Sequence, residues 1–118
     1  VDEQDITRHA LKDDTLVIKP GRMLDNYNAR DMVEAITSAQ AEGYKFIIMD
    51  MADLEFLSSA GVGSILGTVG ASREMGGDII LCNVSDTILH VLKVLDLADF
   101  LIIKSTEKEA LTLCEIEL

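Results

Sequence analysis

The chain has 118 residues, of which 48% are hydrophobic and 26% charged, with a single Pro. That is the size and composition of one folded domain, and it excludes both a disordered chain and two independent cores. Twenty-one acidic residues against ten basic ones give a formal net charge of −11, which excludes nucleic acid and anionic membrane as partners held by charge alone.

In chain order, the runs 6–11 and 15–19 are short and partly β-branched, and Asp13-Asp14 separates them; they predict an N-terminal β-hairpin, although the alternation of the first run is weak. Pro20-Gly21 ends the hairpin and opens a loop through Leu24-Asp25-Asn26. Asn28, with Asp31 three residues on, resembles a helix-starting cap, and Ala29, Met32, Val33, Ile36 and Ala39 share one helical face up to a stop at Gly43. Residues 45–49 are a continuous apolar run of the kind covered on both sides, and 78–82 and 101–103 repeat it. Helical stretches fill 59–74 and 85–95, and a last helix is predicted over 106–113.

Strand, helix, strand, helix, strand predicts a single α/β domain over 1–118. Its mixed β-sheet has the N-terminal hairpin at one edge, parallel central strands and packed α-helices. Cys82 and Cys114 lie far apart, with neither a disulfide nor a zinc spacing, so reduced thiols and a cytoplasmic setting are expected. No apolar run approaches the roughly 20 residues of a membrane helix, and the acidic N-terminus lacks the pattern of a signal peptide. The first residue is Val1 rather than Met, as in a piece of something longer.

The most unusual stretch is Phe56-Leu57-Ser58-Ser59-Ala60-Gly61-Val62-Gly63, which opens a helix carrying Gly61, Gly63, Gly67 and Gly70. Each glycine costs a helix about 1 kcal/mol relative to alanine, so four need a reason. Gly63 and Gly67 are expected to let the helix backbone lie close on the sheet. Gly61 and the serines are expected to leave backbone N–H groups open to a partner or an anion. Nucleotide fingerprints fail on spacing: Gly67 stands one position beyond the third glycine of a dinucleotide motif, and no Gly-Lys-Ser/Thr occurs. Hydrolase logic fails too, because Ser59 is outside a G-x-S-x-G motif and neither His9 nor His90 is evidently related to it.

Asp50, at the end of an apolar strand, is placed like the phospho-accepting aspartate of receiver domains, and Lys104 follows the last strand as theirs does. Asp13-Asp14 precede a strand instead of following one, however, so no metal-holding acidic cluster is expected, and Asp50 and Asp53 read as a solvated turn. Between Lys45 and Arg73 there is no Lys or Arg, while Asp50, Asp53 and Glu55 fall inside that stretch; it reads as a local acidic surface facing a partner of basic character. Ser59 reads as the N-cap of its helix. A phosphoryl group there would meet the positive end of the helix dipole and leave the fold intact.

Gly21-Arg22-Met23-Leu24-Asp25, the 56–63 stretch, Gly76-Gly77 before the 78–82 strand, and Ser85 with Val91-Leu92, Leu95 and Phe100 together resemble the STAS domain of bacterial anti-sigma factor antagonists. The resemblance implies a non-enzymatic partner switch without cofactor. Unphosphorylated protein binds an anti-sigma factor serine kinase, phosphorylation of Ser59 ends that binding, and a metal-dependent serine phosphatase restores it. Ser58 replaces the family's acidic residue and becomes a second acceptor. The implied contact surface is Asp25, Leu57, Ser58, Ser59, Gly61, Val62 and Gly63. The alternative is a STAS scaffold that binds a non-kinase partner, such as a transport or sensory complex, or associates weakly with itself.

Overall fold

Uninterrupted apolar runs form the middle of a five-stranded sheet in the computed structural model, which describes residues 5–116. The hairpin strands are β1 (Thr7–Lys12) and β2 (Thr15–Lys19), paired antiparallel, with a register shift between Ala10 and Lys12. Residues 7–10 are exposed on both faces of this edge strand, which accounts for the weak alternation of the first run. The sheet continues in parallel through β4 (Phe46–Asp50), β6 (Asp78–Cys82) and β7 (Ile102–Lys104), in the order β1-β2-β4-β6-β7. Each parallel connection runs through a helix: α1 (Ala29–Ala41), α2 (Ser59–Glu74) and α3 (Asp86–Val94). The chain then adds α4 (Glu107–Ile116), which ends three residues beyond the predicted last helix.

Alternate residues of each strand point to opposite faces, both of them covered, which is why the middles of β2, β4 and β6 are apolar on both faces. Leu16, Ile18, Ile47, Met49, Ile79 and Leu81 pack against Met32 and Ile36 of α1, Ile65 and Val69 of α2, and Ile88 and Leu92 of α3. Val17, Phe46, Ile48, Ile80 and Cys82 form the opposite face beneath Ala110 and Cys114 of α4. Burying one such side chain contributes about 1.5–3 kcal/mol. Truncating Ile48, which has no exposed surface, to Ala would cost about 2–5 kcal/mol.

Gly43 follows α1 with φ of 101°, a left-handed conformation that ends the helix at the predicted stop. Among the described residues no helix is long and apolar enough to cross a membrane. The predicted elements therefore stand, most with ends shifted by about one residue. One feature is additional: β3 (Met23–Leu24) and β5 (Phe56–Leu57) form a separate two-stranded parallel sheet.

Candidate functional site

The small β3–β5 sheet is what assembles the site. Met23 pairs with Phe56 and Leu24 with Leu57, and the Ser58 N–H donates to the Leu24 carbonyl at 2.9 Å. The loop after β3, which carries Asp25, is thereby fixed beside the serines that follow β5. Two segments about 30 positions apart in sequence become one surface.

The Asp25 loop is held by its own side chains. Tyr27 N–H donates to Asp25 Oδ1 at 2.9 Å, an Asx turn, and Asp25 N–H donates to Asn28 Oδ1 at 2.9 Å. Asn28 Nδ2 donates to the Met23 carbonyl at 2.8 Å. Asn28 occupies the N-cap position of α1, but its side chain makes no cap hydrogen bond; its amide instead ties the loop back to β3. The predicted cap is thus in place with a different task.

At α2 the capping residue is Ser58, not Ser59. Ser58 is extended (φ −89°, ψ 171°) and its Oγ accepts the Gly61 N–H at 3.1 Å. Ser59 is the first helical residue, exposed, and its hydroxyl makes no hydrogen bond to the described residues. The expectation that Ser59 caps the helix is corrected by one position. The extended backbone and the reach to the third following amide both belong to the residue before the helix.

The glycines divide differently from the expectation as well. A Cβ on Gly61 would stand 2.5 Å from the Leu24 carbonyl oxygen and 2.9 Å from Leu57 Cδ1, so only glycine lets α2 start this close to β3. Gly63, Gly67 and Gly70 have no atom within 4 Å of such a Cβ. They lie with Ser59 on the outer face of α2 instead of packing on the sheet. Leu57, Gly61 and Val62, expected in the contact surface, are buried; they frame the site from beneath. Ser59 and Gly63 are exposed, Ser58 is half-buried, and Asp25 keeps 7% of its surface.

A family model described as STAS domain matches residues 9–110. The chain belongs to the STAS domain family. Among its relatives, an anti-sigma F factor antagonist of Paenibacillus polymyxa is 30% identical over 106 residues, covering 86% of this chain and 87% of its own. The anti-sigma factor antagonist SpoIIAA in its unphosphorylated form superposes with a TM-score of 0.79 at 27% identity, over 91% of this chain and 93% of its own. The phosphorylated form of the Bacillus cell fate determinant SpoIIAA gives 0.72 at 27% identity, over 92% and 97%.

In this STAS domain the acidic stretch around β5 is neutralised by cations from elsewhere in the chain. Lys19 Nζ lies 3.3 Å from Asp53, and Arg22 Nε donates to Glu55 at 2.9 Å. The local acidic surface expected from the sequence is corrected accordingly. Asp50 Oδ1 accepts from the Ala52 N–H and from Asn83 Nδ2, each at 3.0 Å, tying the end of β4 to that of β6. Its role is to hold a turn. Among the described residues no group of three or more His, Cys, Asp or Glu side chains could hold a metal ion.

Two residues of the surface escaped the sequence reading. Tyr27, on the loop after β3, is 88% exposed and Phe56, in β5, is 52% exposed. Tyr27 was legible as an aromatic in a run of Asp and Asn. Phe56 was not, because an aromatic at the start of a strand is ordinarily core.

Proposed function

We propose that this STAS domain is an anti-sigma factor antagonist that binds an anti-sigma factor serine kinase while Ser59 is unphosphorylated and is released when the kinase phosphorylates it. The observation that carries the reading is the exposed, uncommitted hydroxyl of Ser59 at the first position of α2, beside a Ser58 already engaged as cap. It is supported by relatives described as anti-sigma factor antagonists and by SpoIIAA, whose unphosphorylated and phosphorylated forms both share this fold.

In the proposed step Ser59 Oγ attacks the γ-phosphorus of ATP, its proton passes to a base on the kinase, and ADP leaves. The product carries about −1.5 to −2 charges at a helix N-terminus, where the dipole and free N–H groups favour an anion. The domain stays folded while its surface changes. Leaving such a charge unpaired in an interface costs about 2–5 kcal/mol, and each 1.4 kcal/mol is tenfold in affinity. Binding weakens by about thirty- to several-thousand-fold with no rearrangement of the core. A metal-dependent serine phosphatase returns the domain to its binding form.

Pull-downs with the unphosphorylated protein and with Ser59→Asp test the reading. Loss of one ATPase partner in the variant supports it. Retention of all partners turns it down in favour of a scaffold whose serines are structural.

A further inference from the structure

The five-stranded sheet ends in two edges that are built differently. β1 is guarded as free edges ordinarily are: it carries Arg8, His9 and Lys12, its register shifts between Ala10 and Lys12, and Arg8 is bonded to Glu42 at 2.9 and 3.1 Å. β7 carries two isoleucines instead. Ile102 packs on the α4 side of the sheet and Ile103 on the other, and both remain partly exposed, so both cores reach this edge with apolar surface still open. Phe100, 48% exposed, stands just before the strand.

The backbone of β7 is open as well. The Cys82 carbonyl accepts the Met51 N–H on the β4 side, so Leu81, its neighbour in β6, faces β7, where it is in register with Ile103. In a parallel ladder such a residue bonds the two positions that flank its partner, here Ile102 and Lys104. The N–H and C=O of Ile103 therefore turn away from the sheet, and no strand or loop among the described residues takes them.

Beside this edge, along α4, runs a groove of about 350 Å³ lined by Lys104, Lys108, Glu109, Thr112, Leu113 and Ile116. Leu113 and the largely exposed Ile116 give it an apolar wall. Its two lysines outnumber its one carboxylate, and neither makes an ion pair with the described residues, although the chain has a net charge of −11. A second copy pairing through the same edge would set lysine near lysine and bring no carboxylate from β7. We propose that a partner protein adds an extended segment along β7. Its backbone bonds Ile103, the side chains facing α4 set carboxylates on Lys104 and Lys108 and an aliphatic group on Leu113 and Ile116, and the alternate side chains cover Ile103. None of these residues belongs to the surface of Ser58 and Ser59, so this contact is a second site, independent of the switch.

The test is an NMR titration of the isotope-labelled chain with the capped hexapeptide Val-Val-Glu-Thr-Glu-Val, against the same peptide with Lys in place of both Glu. The Glu peptide is expected to shift the amides of Ile102, Ile103, Lys104 and Leu113, to slow hydrogen exchange at the Ile103 N–H, and to bind less tightly as salt rises. Lys104→Glu combined with Lys108→Glu should weaken it about tenfold or more, whereas Arg30→Glu combined with Lys93→Glu, the same change of charge elsewhere, should alter it by less than about twofold. Absence of binding by the Glu peptide, equal weakening in that control, or shifts without protection of Ile103 would overturn the proposal. So would protection of Ile103 in the chain alone that grows with protein concentration, since a second copy then holds the edge. Ser59→Asp should bind the peptide as the wild type does, and loss there would count against a separate site.

Discussion

The Gly61 N–H donates to Ser58 Oγ at 3.1 Å, so the serine that holds the start of α2 and the serine that faces solvent are neighbours with separate tasks. A site that must accept a charged group and remain folded benefits from that division. The cap bond belongs to the half-buried residue, and the exposed hydroxyl carries no structural duty.

Ser58→Ala should therefore lower stability by about 1 kcal/mol, the ordinary loss of an N-cap. Ser59→Ala should change it by less than about 0.5 kcal/mol, as at an exposed position without partners. Urea unfolding of both variants measures this, and an inverted ranking would return the cap to Ser59.

The glycines of α2 should respond with opposite signs. Gly61→Ala forces a Cβ to within 2.5 Å of the Leu24 carbonyl oxygen and should cost about 1–3 kcal/mol. Gly67→Ala meets no atom within 4 Å on an exposed helical face and should stabilise by about 1 kcal/mol. Thermal unfolding decides it: a neutral Gly61→Ala would mean that α2 does not need its close approach to β3.

Burial pushes the Cys82 thiol up to about 12, helped by Asp50 and Glu107, and burial likewise pushes Cys114 up to about 11, helped by Asp14. An unfolded thiol ionises near pH 8.5. Above that value the unfolded chain releases protons that the folded chain keeps, so this contribution to stability is full below about pH 8.5 and is lost as pH rises toward 11. The urea midpoint should fall over that window, less steeply in a Cys82→Ala, Cys114→Ala protein. Native protein should also resist a thiol reagent that labels it rapidly once unfolded; fast native labelling would show that α4 does not cover these residues.

Much of the architecture was legible because both faces of the central sheet are covered, which writes β4 and β6 as nearly continuous apolar runs. The hairpin and the span of α2 were legible for similar local reasons. What the sequence withheld depends on contacts between distant segments. The β3–β5 pairing joins two dipeptides too short to carry a period. The pairing of Asp53 with Lys19 and of Glu55 with Arg22 brings cations from more than 30 residues away, so a Lys- and Arg-free stretch became a neutralised one. Ser58 and Ser59 are chemically identical, and only the backbone angles at the helix start separate cap from free hydroxyl.

The central claim is that Ser59 is the hydroxyl that switches the surface. Incubation with the proposed partner, an anti-sigma factor kinase, and ATP, followed by mass-spectrometric mapping of the phosphate, tests it most directly. The account predicts one phosphate on Ser59 in the wild type and none in Ser59→Ala, with Ser58 unmodified in both. Equal incorporation into wild type and Ser59→Ala would contradict it.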